Sequence, residues 1–168
     1  MTTSRLSSRN PLAAAPPGDL GWNLGMVLRD YHARFEEAVE GMPGGVRGYQ
    51  VLSTVVHRDP PNQQALAAHL VIDRTVLTYL LDALVEAKVV ERTPDPADRR
   101  SRKIVATSHG RKLLERYEGR VEAAEAELLA GLNEDDAETL ARLLSGLAMD
   151  VHRAQPNSNP CEAIDYLP

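Results

Sequence analysis

Apolar residues recur at steps of three and four along most of this chain, and the breaks between those runs divide it into short helices. Leu24, Val27, Leu28, Tyr31, Phe35 and Ala38 make the first stripe, which GMPGG (residues 41–45) ends. A second helix follows from about Val46, with Tyr49, Leu52 and Val56 on one face, and RDPPN (58–62) breaks it because proline cannot continue a helix. Asn62 is placed to cap a short third helix carrying Leu66, Ala67 and Leu70. After Val71 and Ile72, Asp73 can cap a fourth, with Leu77, Leu80, Leu81, Leu84 and Val85 as its buried stripe. Two short helices joined by so tight a turn match a helix-turn-helix, an arrangement that buried cores also use.

The period then changes. VVERT (89–93) is short and β-branched, PDPADRR (94–100) reads as a turn, and SRKIVAT (101–107) alternates charged and apolar residues, so a two-stranded hairpin is expected. Thr107 or Ser108 starts a long helix with Leu114, Tyr117, Val121, Ala124, Leu128 and Leu132. Asn133 caps the last helix, whose first turn holds Glu134, Asp135 and Asp136 where the helix dipole favours anions, and whose stripe is Leu140, Leu143, Leu144, Leu147 and Val151. The apolar stripes of the first and last two helices exceed what a small core can cover, and a second copy of the chain is the natural cover.

Composition narrows the class. The chain has 168 residues, 43% hydrophobic and only 4% aromatic, which suits one domain of helices packed through Leu, Val and Ala. Its single cysteine, Cys161, allows no internal disulfide, so a reducing compartment is the default. No apolar run approaches a membrane span, and the first residues lack the apolar stretch of a secretory signal; a cytoplasmic protein with Ser/Pro-rich tails is expected. The net charge is −5, yet Lys88–Arg120 holds ten bases against five acids, a local +5 that leaves −10 for the rest. From Val121 to Ala141 there are seven acids and no base. Such asymmetry fits one surface that meets a polyanion and another that faces away; solvated faces of unrelated helices are the bland alternative.

The stretch LAAHLVIDRTVLTYLLDALVEAKVVERTPDPADRRSRKIVATSHGRKLLE (66–115) resembles the MarR family of winged helix-turn-helix regulators. It runs a helix-turn-helix into VER, then a wing with D-x-R at Asp98–Arg99–Arg100, then T-x-x-G from Thr107 to Gly110. Three positions depart from the pattern. Val71 stands in the turn that often holds glycine, so that turn is expected to avoid positive φ. Lys88 stands where glycine often closes the recognition helix, and Ala106 replaces the usual Leu. The resemblance implies a mainly α fold with a β-hairpin wing: a flexible tail over 1–18, a MarR-like domain over 19–153 and a second tail over 154–168. Within the domain, a DNA-binding lobe spans about 46–107 and dimerisation helices span about 20–41 and 108–153.

It also implies a dimeric regulator, usually a repressor, on a palindromic double-stranded DNA site. An α-helix fits the major groove. There Arg74 can take guanine, while Thr75, Thr78 and Tyr79 can reach thymine methyls, base edges or phosphates; Asp73 is the cap. The wing puts Arg100 in the minor groove, held in direction by Asp98, with Arg99, Arg102 and Lys103 on phosphates. Family members commonly respond to a small aromatic or phenolic ligand between the dimer helices and the DNA-binding lobe. Trp22, Met26, Tyr31, His32, Phe35, Tyr49 and His57 are candidates to line such a cleft, or are ordinary core and dimer packing.

Other classes find less. The five histidines, His32, His57, His69, His109 and His152, show no paired i, i+4 spacing, so no metal site is expected. No nucleophile–base pair or cofactor motif is visible, and GMPGG lacks the Lys-Ser/Thr of a P-loop, so no enzyme and no cofactor are expected. A winged-helix protein–protein adaptor without DNA binding is the alternative.

Overall fold

The computed structural model describes residues 19–94 and 102–155. Six helices and one hairpin run in the order α1 (Leu20–Ala38), α2 (Gly45–Arg58), α3 (Gln63–Leu70), α4 (Arg74–Glu86), β1 (Val90–Pro94), β2 (Arg102–Ala106), α5 (Ser108–Leu129) and α6 (Glu134–Ala154). Three side-chain caps expected from sequence form, and Thr107, one of two residues expected to start the long helix, supplies a fourth. Asn62 accepts from the Ala65 amide at 2.9 Å, Thr107 from Gly110 at 2.9 Å and Asn133 from Asp136 at 2.9 Å, while Asp73 accepts from Thr75 at 2.7 Å and from Val76. Each satisfies an amide that the first helical turn leaves without a partner.

The core sits where α2, α3, α4 and the base of the hairpin meet the first half of α5. Leu52, Leu66, Leu81, Leu84, Val89, Ile104 and Leu114 are sealed from solvent there. The hairpin is antiparallel, with Val90 opposite Ala106, Arg92 opposite Ile104 and Pro94 opposite Arg102. Its first strand thus lies one residue later than 89–93 and takes in Pro94, expected in the turn. Val89 is used elsewhere: its amide donates to the Leu84 carbonyl at 2.9 Å and so closes α4. Pro94 is tolerated because it ends the strand.

Thr107 joins hairpin to helix. Its hydroxyl donates to the Lys88 carbonyl at 2.7 Å while its oxygen caps α5. The Thr-x-x-Gly spacing has a steric reason as well: a Cβ on Gly110 would lie 2.0 Å from the Val89 carbonyl oxygen, so α5 can start this close to the hairpin only at glycine.

One expectation fails. Val71 does not avoid positive φ; it sits at +49°, and Lys88 at +58°. Both end helices in the same way. The Ile72 amide donates to Ala67 at 3.0 Å, and the Val89 amide donates to Leu84 at 2.9 Å, each reaching back five residues around a left-handed residue. The reversal after α3 must be completed within three residues, before Asp73 caps α4, so tertiary closure imposes the left-handed geometry on a β-branched side chain that disfavours it.

The two terminal helices behave differently from the rest. α1 lies along α5 but buries only Phe35 and Ala38, and α6 buries none of its residues. No helix among the described residues is long and apolar enough to cross a membrane.

Candidate nucleic-acid interface

α4 presents its N-terminal half outward while Leu77, Leu81 and Leu84 anchor its other face. The cap fixes where that half begins. The Asp73 carboxyl is held below the usual carboxylate range, chiefly by the Thr75 amide, then by the Val76 amide and the Thr75 hydroxyl. Arg74, Thr75, Thr78 and Tyr79 are all exposed, Tyr79 to 72%, and together line an open recess of about 330 Å³. Among the described residues the Arg74 guanidinium has no ion-pair partner. The Thr78 hydroxyl donates to the Arg74 carbonyl at 2.8 Å. The four recognition-helix residues named from sequence thus share one continuous surface. Val76, half exposed beside them, was not among those named.

Two ion pairs fix the hairpin to the helical lobe. Arg92 on β1 meets Asp82 on α4 at 2.7 Å, and Lys103 on β2 meets Asp59, the residue that ends α2, at 2.8 Å. Arg102 is exposed at the start of β2, whereas the Lys103 ammonium is already engaged. Asp98, Arg99 and Arg100 lie outside the described residues, as do both expected tails except Ala154 and Gln155. Asp59, Asp82 and Arg92 escaped sequence reasoning because their partners lie at unrelated positions, Asp59 being 44 residues from Lys103.

The residues named for a ligand cleft separate into groups. Tyr31 stacks on Phe35 with ring centroids 5.9 Å apart, and Phe35 meets Tyr49 edge-on at 5.4 Å. Burial, then the nearby Glu118 carboxylate, pushes the Tyr49 phenol up to about 12. His57 on α2 bonds Glu118 on α5 at 2.6 Å, tying lobe to long helix, and His32 sits 3.8 Å from Glu36. Trp22 and Met26 lie exposed on the N-terminal half of α1. A separate open recess lies between α1 and α5, lined by Arg34, Glu37, Ala38, Arg120, Ala124 and neighbouring residues. Its two guanidinium groups are engaged: Arg34 bridges Asp30 and Glu127, and Arg120 donates to the Glu37 and Glu40 backbone carbonyls. Among the described residues no group of three His, Cys, Asp or Glu side chains is placed to hold a metal ion.

The profile of the MarR family matches residues 47–101, from α2 through the hairpin loop. CouR of Rhodococcus jostii, solved with p-coumaroyl-CoA, is 30% identical, with a TM-score of 0.61 over 78% of this chain and 92% of CouR. The chain belongs to the MarR family. Apo wild-type MarR of E. coli is 27% identical, with a TM-score of 0.69 over 80% of this chain and 97% of that one. The Mycobacterium tuberculosis MarR family protein Rv2887, solved in complex with DNA, shares the fold at 24% identity and a TM-score of 0.64, over 80% of this chain and 98% of that one. The helix-turn-helix of this MarR-family regulator is therefore α3–α4, and its wing is the β1–β2 hairpin.

Proposed function

We propose that this chain is a homodimeric, sequence-specific DNA-binding regulator, a repressor released by a small aromatic or phenolic ligand. The observation that carries the reading is the outward face of α4. Arg74, Thr75, Thr78 and Tyr79 form one exposed surface on a helix whose opposite face is locked in the core. In a two-fold dimer two such helices lie roughly 34–36 Å apart, one turn of DNA. That spacing corresponds to a palindrome of about 16–20 base pairs. Arg100 enters the minor groove, oriented by Asp98, and Arg99 and Arg102 meet phosphates. Lys103 would reach a phosphate only by leaving Asp59, so its first role is to hold the wing.

The dimer is supported by the exposed apolar stripes of α1 and α6, which include Leu24, Val27, Leu143, Leu144 and Leu147. A ligand is supported by CouR, a relative solved with a phenolic acyl thioester. The Tyr31–Phe35–Tyr49 cluster lies between α1 and the DNA-binding lobe, where a ligand preferring one spacing of the two lobes would shift the population toward it.

The test is fluorescence anisotropy on labelled DNA from upstream of the chain's own gene, at several salt concentrations, with Arg100→Ala alongside. The expected result is tight binding with a log–log salt slope of roughly −7, for about four phosphates neutralised per subunit, and weaker binding by the variant. Binding no tighter than to random DNA, there and after selection from a random-sequence pool, would favour the adaptor class.

A further inference from the structure

The exposed face of α4 carries three hydroxyl-bearing side chains near its single guanidinium, and hydroxyls are ordinarily credited with contacts to phosphates and base edges. One of the three has no proton to give. A threonine hydroxyl has one donor. That of Thr78 is spent on the Arg74 carbonyl at 2.8 Å. It cannot donate to a phosphate oxygen or to guanine O6 or N7 without breaking that bond. Asp73 Oδ1 accepts from both the Thr75 and the Val76 amides, so the first turn does not offer those two amides to a phosphate. With the Thr78 hydroxyl turned to the protein, the methyl group is that side chain's remaining outward end. Val76 adds a half-exposed apolar side chain one turn before Tyr79. In the major groove the apolar feature that matches methyl groups is the C5-methyl of thymine.

We infer that α4 reads its half-site in part through a methyl group: Arg74 takes one guanine, and Thr78 packs its methyl against the C5-methyl group of a neighbouring thymine. The inference rests on the DNA-binding reading and narrows it. Because 5-methylcytosine carries the same group at the same place, the surface also accepts a methylated cytosine where it accepts thymine.

The experiment uses the full chain and a duplex that it selects from a random-sequence pool. Each thymine of the half-site is replaced in turn by deoxyuridine, which removes the methyl and leaves the pairing edge intact. Affinity is expected to fall about fourfold at one position, the value of one methyl group taken from water. Placing 5-methylcytosine there is expected to bind better than cytosine. Thr78→Val, which keeps the outward methyl and loses the hydroxyl, is expected to keep the deoxyuridine penalty. Thr78→Ser, which keeps the hydroxyl and loses the methyl, is expected to lose that penalty. Both substitutions are at an exposed site, and circular dichroism checks that the helix persists. Tight selected binding with no deoxyuridine effect anywhere, or a penalty lost in Thr78→Val as in Thr78→Ser, overturns the inference and leaves DNA binding intact. Failure to select any sequence overturns the DNA-binding reading itself, and the inference with it.

Discussion

α4 and α6 look alike along the sequence and are opposites in the fold. Each carries leucines at steps of three and four on one face and polar residues on the other. In α4 the stripe is covered by its own chain, and Leu81 and Leu84 are wholly buried. In α6 nothing among the described residues buries the stripe, and Leu147 is 56% exposed. Periodicity identifies which face of a helix must leave water. What covers that face depends on where the helix is carried. α4 is folded back on α2 and the hairpin by two short turns, whereas α6 follows the 22 residues of α5 away from the core. A stripe left open in this way is the kind that a second chain covers, and the proposed self-association through α1 and α6 would make such a face tolerable in water.

The difference sets an order of expected effects. Leu81→Ala opens a cavity inside a packed core, so stability in urea should fall by about 2–5 kcal/mol at every protein concentration. Leu143→Asp combined with Leu147→Asp should leave the helical signal of the monomer in place. It should remove any dependence of Tm on concentration and give a mass by light scattering near 18.4 kDa instead of twice that. A pair of substitutions that unfolds the chain as Leu81→Ala does would show that α6 is covered from within. Val71→Gly relieves a left-handed β-branched residue whose side chain is half exposed, and a gain of up to about 1 kcal/mol is expected, less than the strain itself because glycine also loosens the unfolded chain.

The last effect is electrostatic and confined to high pH. The Tyr49 phenol is raised to about 12 from 10.0, so the unfolded chain releases that proton first as pH rises. The contribution is complete below about pH 10 and is lost between there and about 12, so the urea midpoint should decline more steeply across that window in the native chain than in Tyr49→Phe. Equal slopes would place the phenol in ordinary solvent.

Much of the fold was legible before any coordinates, because its signals are local. Asn62, Asp73 and Asn133 cap the helices they precede, since a short polar side chain ahead of an apolar run meets amides within three residues of it. The surface of Arg74, Thr75, Thr78 and Tyr79 was legible for the same reason: the helical repeat that buries Leu77 and Leu81 turns those four outward. The positive φ of Val71 was not, because side-chain preference argues against it and only the closure of α3 onto α4 demands it. Nor were the pairs Lys103–Asp59, Arg92–Asp82 and His57–Glu118, each of which joins elements that no sequence spacing relates.

The sequence by itself therefore determined the elements, their caps, their apolar faces and the family, all of which follow from residues a few positions apart. The tertiary structure alone decided which apolar faces the chain covers for itself, which charges are spent on holding the wing, and which way the Thr78 hydroxyl turns. Those outcomes depend on distances between distant segments, and a side chain's remaining chemistry is known only once its partners are in place.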